Sequence, residues 1–236
     1  MLKSFWILAE SLLMEFNKSN LPIRAAIFDF DGTLIDSLHV WDDIDNESFA
    51  KRGISVPEDF ARVTATMTPK QVADYVIERF GFEDSSEDLM QEWSAMAFDA
   101  YANRLQLRKG AKSYIENLDS KGINLVLVTT LSKSLCEPSL KRTGIFKYFN
   151  TMFFGEDLDS VGKNSPKFYI DLAREIGVNP VDCVVFEDSF KALYSAQQAG
   201  MRTCALLDDV KSDFKEDSLL SNCLAVFSDF YDAPKI

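Results

Sequence analysis

Two aspartates one residue apart, Asp29 and Asp31, close the stretch R-A-A-I-F-D-F-D-G-T that runs from Arg24 to Thr33. Neighbouring carboxylates repel unless a cation or a shared proton offsets their charge, so the pair is the first sign of chemistry. Other polar groups stand at the ends of later apolar runs: Thr129-Thr130 after I-N-L-V-L-V, and Glu187-Asp188 after V-D-C-V-V-F. Lys163 precedes a helix start at Ser165-Pro166. Each residue type answers a need of phosphoryl transfer. A carboxylate can attack phosphorus, splitting one hard step into two through an aspartyl-phosphate. A second carboxyl can protonate the leaving alkoxide and later take a proton from water. An oxygen-only donor set suits Mg²⁺, which offsets the charge of acids and phosphate together. A hydroxyl and an ammonium can hold the phosphate oxygens as charge builds.

These groups must be positioned by elements. Ala25–Phe28 is a short apolar run of the kind that forms a strand covered on both faces. Acids at its C-terminal end fall where open α/β sheets place their ligand crevice. Gly32 lets the backbone turn sharply out of the strand. Further strands are expected at Ile123–Val128, Thr151–Phe154, Val181–Phe186, Thr203–Leu207 and Leu224–Phe227. Helices fill the intervals, over Ala111–Ser120, about Ser132–Thr143, from Ser165-Pro166 to Gly177, and Ser189–Ala199. Pro138 is expected to start or kink the second of these. Alternating strands and helices imply right-handed crossovers and a parallel sheet.

Between the first two strands, about Ser37–Leu105, the pattern is all-helical. Leu38, Trp41, Ile44 and Phe49 fall near helical spacing before Gly53. Thr68-Pro69-Lys70-Gln71 reads as a capping box, and Ser85-Ser86-Glu87-Asp88 opens a helix with the stripe Leu89, Trp93, Met96, Ala97, Ala100 and Tyr101. Such aromatic stripes read as core. The expected organisation is an accessory segment at 1–20, an α/β core at 21–36 and 107–236, and a helical cap at 37–106. The first twenty residues suit an accessory helix, or a leader ahead of an alternative start at Met14; they lack a clean apolar core and a cleavage site.

The chain has 236 residues, 47% of them hydrophobic, and a net charge of −12. A sizeable core is available. No basic run offers a nucleic-acid footprint, and an acidic surface argues against anionic membrane. The four cysteines, Cys136, Cys183, Cys204 and Cys223, show no C-x-x-C spacing; reduced residues in a cytoplasmic monomer are expected. His39, the single histidine, reads as a surface or hinge residue.

With D-x-D-G-T at Asp29–Thr33, L-V-L-V-T-T ending at Thr129-Thr130, G-K-N-S-P around Lys163 and V-V-F-E-D-S around Glu187-Asp188, the chain resembles the haloacid dehalogenase-like hydrolase superfamily. The likeness is to its branch with a helical cap after the first motif, in the beta-phosphoglucomutase-like group. It spans about residues 23–207. The resemblance implies a doubly wound, Rossmann-like parallel sheet with an inserted helical cap. It implies Asp29 as nucleophile and Asp31 as general acid and base. Mg²⁺ would be held by the Asp29 side chain, the Asp31 backbone carbonyl and Asp188, with Glu187 in or beside that shell. Thr129, Lys163 and, more weakly, Thr130 would bind phosphate. Mutases of that group carry a histidine in the first cap helix where Trp41 stands here, and a cap arginine where Met67-Thr68-Pro69-Lys70 stands. That departure favours hydrolysis of a small phosphorylated metabolite, a sugar phosphate first. A sugar-phosphate mutase is the alternative, and a non-catalytic ligand-binding member of the fold comes after it.

Overall fold

The computed structural model describes residues 22–65, 67–208 and 218–236; the accessory segment expected at 1–20 lies outside them. All four residues of β1 (Ala25–Phe28) are buried. Ala26 and Phe28 join the core on one face of the sheet and Ala25 and Ile27 the core on the other. This is the period-2 alternation of a strand covered on both sides.

From β1 the chain enters the helices α1 (Val40–Lys51), α2 (Phe60–Thr64), α3 (Pro69–Phe80) and α4 (Ser86–Asp99). Both expected capping boxes form. Thr68 Oγ1 accepts from Gln71 N while Gln71 Oε1 accepts from Thr68 N, and Ser85 and Asp88 do the same for α4. These side chains satisfy amides that the first helical turn leaves without partners. Phe49, Phe60, Ala73, Val76, Phe82 and Leu89 form a separate apolar core for these helices. Ile44, Met96 and Ala97 instead join the core beneath the sheet face, so the base of the helical block rests on the α/β layer.

The stripe read at Ala100 and Tyr101 does not continue as α-helix. Ala100–Arg104 is a π-helical turn in which Leu105 N donates to Ala100 O at 2.9 Å. The two chain crossings between helical block and sheet are tied together, Asp36 N donating to Gln106 O and Arg108 N to Leu34 O, each at 2.9 Å.

The chain then alternates α5 (Ala111–Ser120), β2 (Asn124–Val128), α6 (Lys133–Thr143), β3 (Thr151–Phe153), α7 (Pro166–Glu175), β4 (Cys183–Glu187), α8 (Phe190–Gln198), β5 (Arg202–Leu206), α9 (Ser218–Ser221) and β6 (Ala225–Phe227). Helix α6 begins at Lys133 and runs through Pro138, so Pro138 does not start it. Strand β4 begins two residues later than expected, because Pro180–Asp182 forms a 3₁₀ turn, and it includes Glu187.

All strand pairs are parallel, in the order β3-β2-β1-β4-β5-β6. The chain winds outward from β1 through β2 to β3, then returns to β4 on the other side. The order therefore reverses between β1 and β4, and their carboxyl ends flank the crevice such a reversal creates. Phe28 and Phe186 stack at this seam, ring centroids 4.5 Å apart. Burial of each ring stabilises the fold by about 1.5–3 kcal/mol. The four cysteines are free. Among the described residues no helix is long and apolar enough to cross a membrane.

Candidate active site

The hydrogen-bond ladder between β1 and β4 runs one residue past the end of β1, Asp29 N donating to Phe186 O at 3.0 Å. That bond fixes Asp29 beside Glu187 at the sheet's central seam. Lys163 reaches the same point from the loop before α7. Its short 3₁₀ turn, Gly162–Asn164, is held by Asp159, whose Oδ1 accepts from Val161 N and Gly162 N at 3.0 and 2.7 Å. The Lys163 ammonium donates to Asp29 Oδ1 at 2.5 Å and to both oxygens of Glu187 at 3.2 Å. All three side chains are buried. Burial alone would lower the Lys163 pKa, but Asp29 and Glu187 carry it above the usual lysine range. A charge buried among two acids is held by direct ion pairs, and removing it would leave them uncompensated.

Asp29, Glu187 and Asp188 each offer a carboxylate oxygen, and those oxygens lie within 4.8 Å of one another. Burial, and next to it the Asp29 charge, pushes Glu187 well above the usual carboxylate range and Asp188 up to about 6. Three clustered acids at that cost suit a small hard cation with oxygen ligands. Gly32 makes room for the cluster: its φ is +68°, and a Cβ there would overlap Asp188 Oδ2.

Asp31 is set apart from this cluster. The Tyr101 hydroxyl donates to Asp31 Oδ1 at 2.6 Å. Burial pushes Asp31 up to about 6 against the hydrogen bonds from Tyr101 and Ser37, and Asp29 adds to the rise. The two motif aspartates thus occupy different environments, one facing an ammonium and two acids, the other facing neutral hydroxyls. Environments that separate two carboxylates also separate their roles. The turn that follows them is clamped from outside: Gly32 N donates to Ser37 Oγ at 3.1 Å, and Arg108 Nε donates to Gly32 O at 2.5 Å.

A cavity of about 420 Å³ opens over these groups, lined by Asp29, Asp31, Lys163, Glu187, Asp188 and Thr130 among others. Thr129 is buried and does not line it; its Oγ1 accepts from Leu131 N at 3.1 Å, within its own turn. Every lining residue comes from the α/β layer. Trp41 is exposed, Lys70 pairs with Asp74 at 3.0 Å, and Arg79 pairs with Asp59 and with the Tyr75 hydroxyl. None of these side chains of the helical block lines the cavity.

Tyr101, Ser37 and Arg108 belong to the site's surroundings, and no motif announces them. A usable signal exists for Tyr101 alone. A tyrosine on a buried stripe brings a hydroxyl that needs a partner.

Comparison with known proteins shows the family and the fold. The phosphorylated carbohydrates phosphatase of Thermotoga maritima is 27% identical over 179 residues, covering 76% of this chain and 82% of that protein. Hexitol phosphatase B of Escherichia coli is 26% identical over 183 residues, covering 77% and 82%. The crystal structure of CbbY from Rhodobacter sphaeroides in complex with phosphate shares the fold, with a TM-score of 0.65 and 24% identity over 89% of this chain and 96% of that one. Residues 26–206 match the haloacid dehalogenase-like hydrolase model, and the chain belongs to that family.

Proposed function

We propose that the protein is a Mg²⁺-dependent phosphoric monoester hydrolase acting on a small phosphorylated metabolite, a sugar phosphate first. The observation that carries this reading is the seating of Asp29 at the sheet's reversal point, with Lys163, Glu187 and Asp188 around it and Asp31 held apart. The relatives named for phosphorylated carbohydrates and hexitols support the substrate class.

Asp29 attacks phosphorus and forms the aspartyl-phosphate. Asp31 gives its proton to the departing oxygen, then takes one from the water that attacks the aspartyl-phosphate. Lys163 moves its charge from the carboxylates to the phosphate oxygens, with Thr129 or Thr130 supplying a hydroxyl. Asp29, Asp188, Glu187 and the Asp31 backbone carbonyl would hold the cation. Mg²⁺, when bound, would supply charge neutralisation between the acids and the phosphate. Residues 37–106 act as the cap and residues 21–36 with 107–236 as the catalytic core.

The test is release of phosphate from p-nitrophenyl phosphate and from a panel of sugar phosphates at millimolar Mg²⁺. Turnover that survives Asp29→Asn would falsify the reading. Conversion of beta-glucose 1-phosphate to glucose 6-phosphate in the presence of the bisphosphate, without free phosphate, would replace it with the mutase.

A further inference from the structure

The helical block returns to the α/β layer through the π-helical turn Ala100–Arg104, and this turn carries Tyr101. A π turn inside a helix is uncommon and recurs at functional sites. Here it packs against α6, and the Tyr101 ring is 1% exposed within the main core. The ring is therefore fixed by packing, and its hydroxyl position follows. That hydroxyl donates to Asp31 Oδ1 at 2.6 Å, across 70 residues of sequence. The phenol is the donor of the pair and the Asp31 oxygen the acceptor.

We propose that Tyr101 is a positioning residue for Asp31, its hydroxyl occupying Oδ1 so that Oδ2 carries the proton exchanged with the leaving oxygen. This rests on the phosphatase reading, in which Asp31 is the acid. In the first step a bond forms between the Asp29 carboxylate oxygen and phosphorus, and the ester P–O bond breaks. The Oδ2 proton of Asp31 passes to the departing oxygen, and Asp31 becomes a carboxylate. Without the phenol, Oδ1 loses the donor that reserves it, Ser37 is the hydroxyl left beside the carboxyl, and the proton is no longer confined to Oδ2. A hydrogen bond to a group that is charged after the step also stabilises the product form of the acid. Because Tyr101 belongs to the re-entry segment of the helical block, the placement of that block and the orientation of the acid are linked through one side chain.

The experiment compares kcat/KM for phenyl phosphate and p-nitrophenyl phosphate in wild type and Tyr101→Phe. This parameter covers the steps through leaving-group departure and excludes the later attack of water. Phenolate leaves poorly without a proton, whereas p-nitrophenolate leaves well without one. The expected result is a loss of about ten-fold or more on phenyl phosphate, with p-nitrophenyl phosphate changed by less than about three-fold. The ratio of the two values is independent of the folded fraction, so a less stable variant still gives an answer. An equal loss on both esters, or no loss on either, overturns the role of Tyr101. Wild-type protein that hydrolyses neither ester, or Asp29→Asn that hydrolyses both, overturns the phosphatase reading itself.

Discussion

The Asp188 carboxylate occupies the space that a side chain on Gly32 would need, a Cβ there overlapping Asp188 Oδ2. Gly32 is also left-handed, with φ +68°. An alanine would meet both penalties: about 1–2 kcal/mol of backbone strain and displacement of an acid from the three-carboxylate cluster. Gly32→Ala is therefore expected to weaken Mg²⁺ affinity by about ten-fold or more. A Mg²⁺ titration of activity, alongside a melting curve, checks this. An unchanged half-saturating concentration would show that Asp188 is not a ligand.

Lys163 is the cation that the cluster holds directly. Lys163→Met leaves Asp29 and Glu187 buried without a counter-charge. The expected loss of stability in EDTA is about 3–5 kcal/mol, and Mg²⁺ should restore part of it by supplying the missing positive charge. Turnover should fall by about a hundred-fold or more and stay low in Mg²⁺, because the phosphate oxygens lose their ammonium. Melting curves with EDTA and with Mg²⁺ separate these effects. Equal melting temperatures for variant and wild type in EDTA would sink the argument.

Much of this site is legible in the sequence because the chemistry is local to it. Asp29 and Asp31 follow an apolar run and Glu187-Asp188 follow another, so strand ends place these acids at one crevice, and Lys163 sits beside a Pro-marked helix start. The capping boxes at Thr68 and Ser85 are readable for the same reason. What cannot be read depends on long-range geometry. Arg108 reaches the Gly32 carbonyl across 76 residues, and Tyr101 meets Asp31 through a π turn that a 3.6-residue pattern reads as ordinary helix. Thr129 and Thr130 are adjacent letters, and only the fold shows that Thr130 lines the cavity while Thr129 is buried with its Oγ1 accepting from Leu131 N.

Asp31 and Asp188 make the metal-free protein respond unusually to pH. Both have folded pKa values raised to about 6 by burial, against roughly 3.9 for an unfolded aspartate. A raised carboxyl pKa means that the folded state binds the proton more tightly. Stability in EDTA should therefore rise as pH falls from about 6 towards about 4. The ion-paired acids Asp84 and Glu92 have lowered values, so their contribution is lost only at lower pH. Melting temperatures across this range in EDTA check the sign. A fall in stability from pH 6 to 4 would contradict it. With Mg²⁺ the trend should reverse, because protons compete with the cation for the carboxylate oxygens of Asp188 and its neighbours in the cluster.

Arg52 offers a test of whether the helical block matters to turnover independently of the acids. Its guanidinium bonds Asp84 through Nε and Nη2 at 2.8 Å, and Glu92 through Nη2 at 3.0 Å. It also lies over the Phe82 ring at 4.7 Å, joining the end of α1 to the α3–α4 loop and to α4. Arg52→Ala removes these ties within the helical block and touches nothing lining the cavity. The expected loss of stability is about 1–2 kcal/mol, since the site is partly open to water. If the cap recognises the substrate, KM for a sugar phosphate should rise while kcat for p-nitrophenyl phosphate stays within about two-fold, as expected for lost uniform binding. Equal losses of kcat on both substrates would mean instead that the cap's integrity governs the chemical step, as the link from Tyr101 to Asp31 allows.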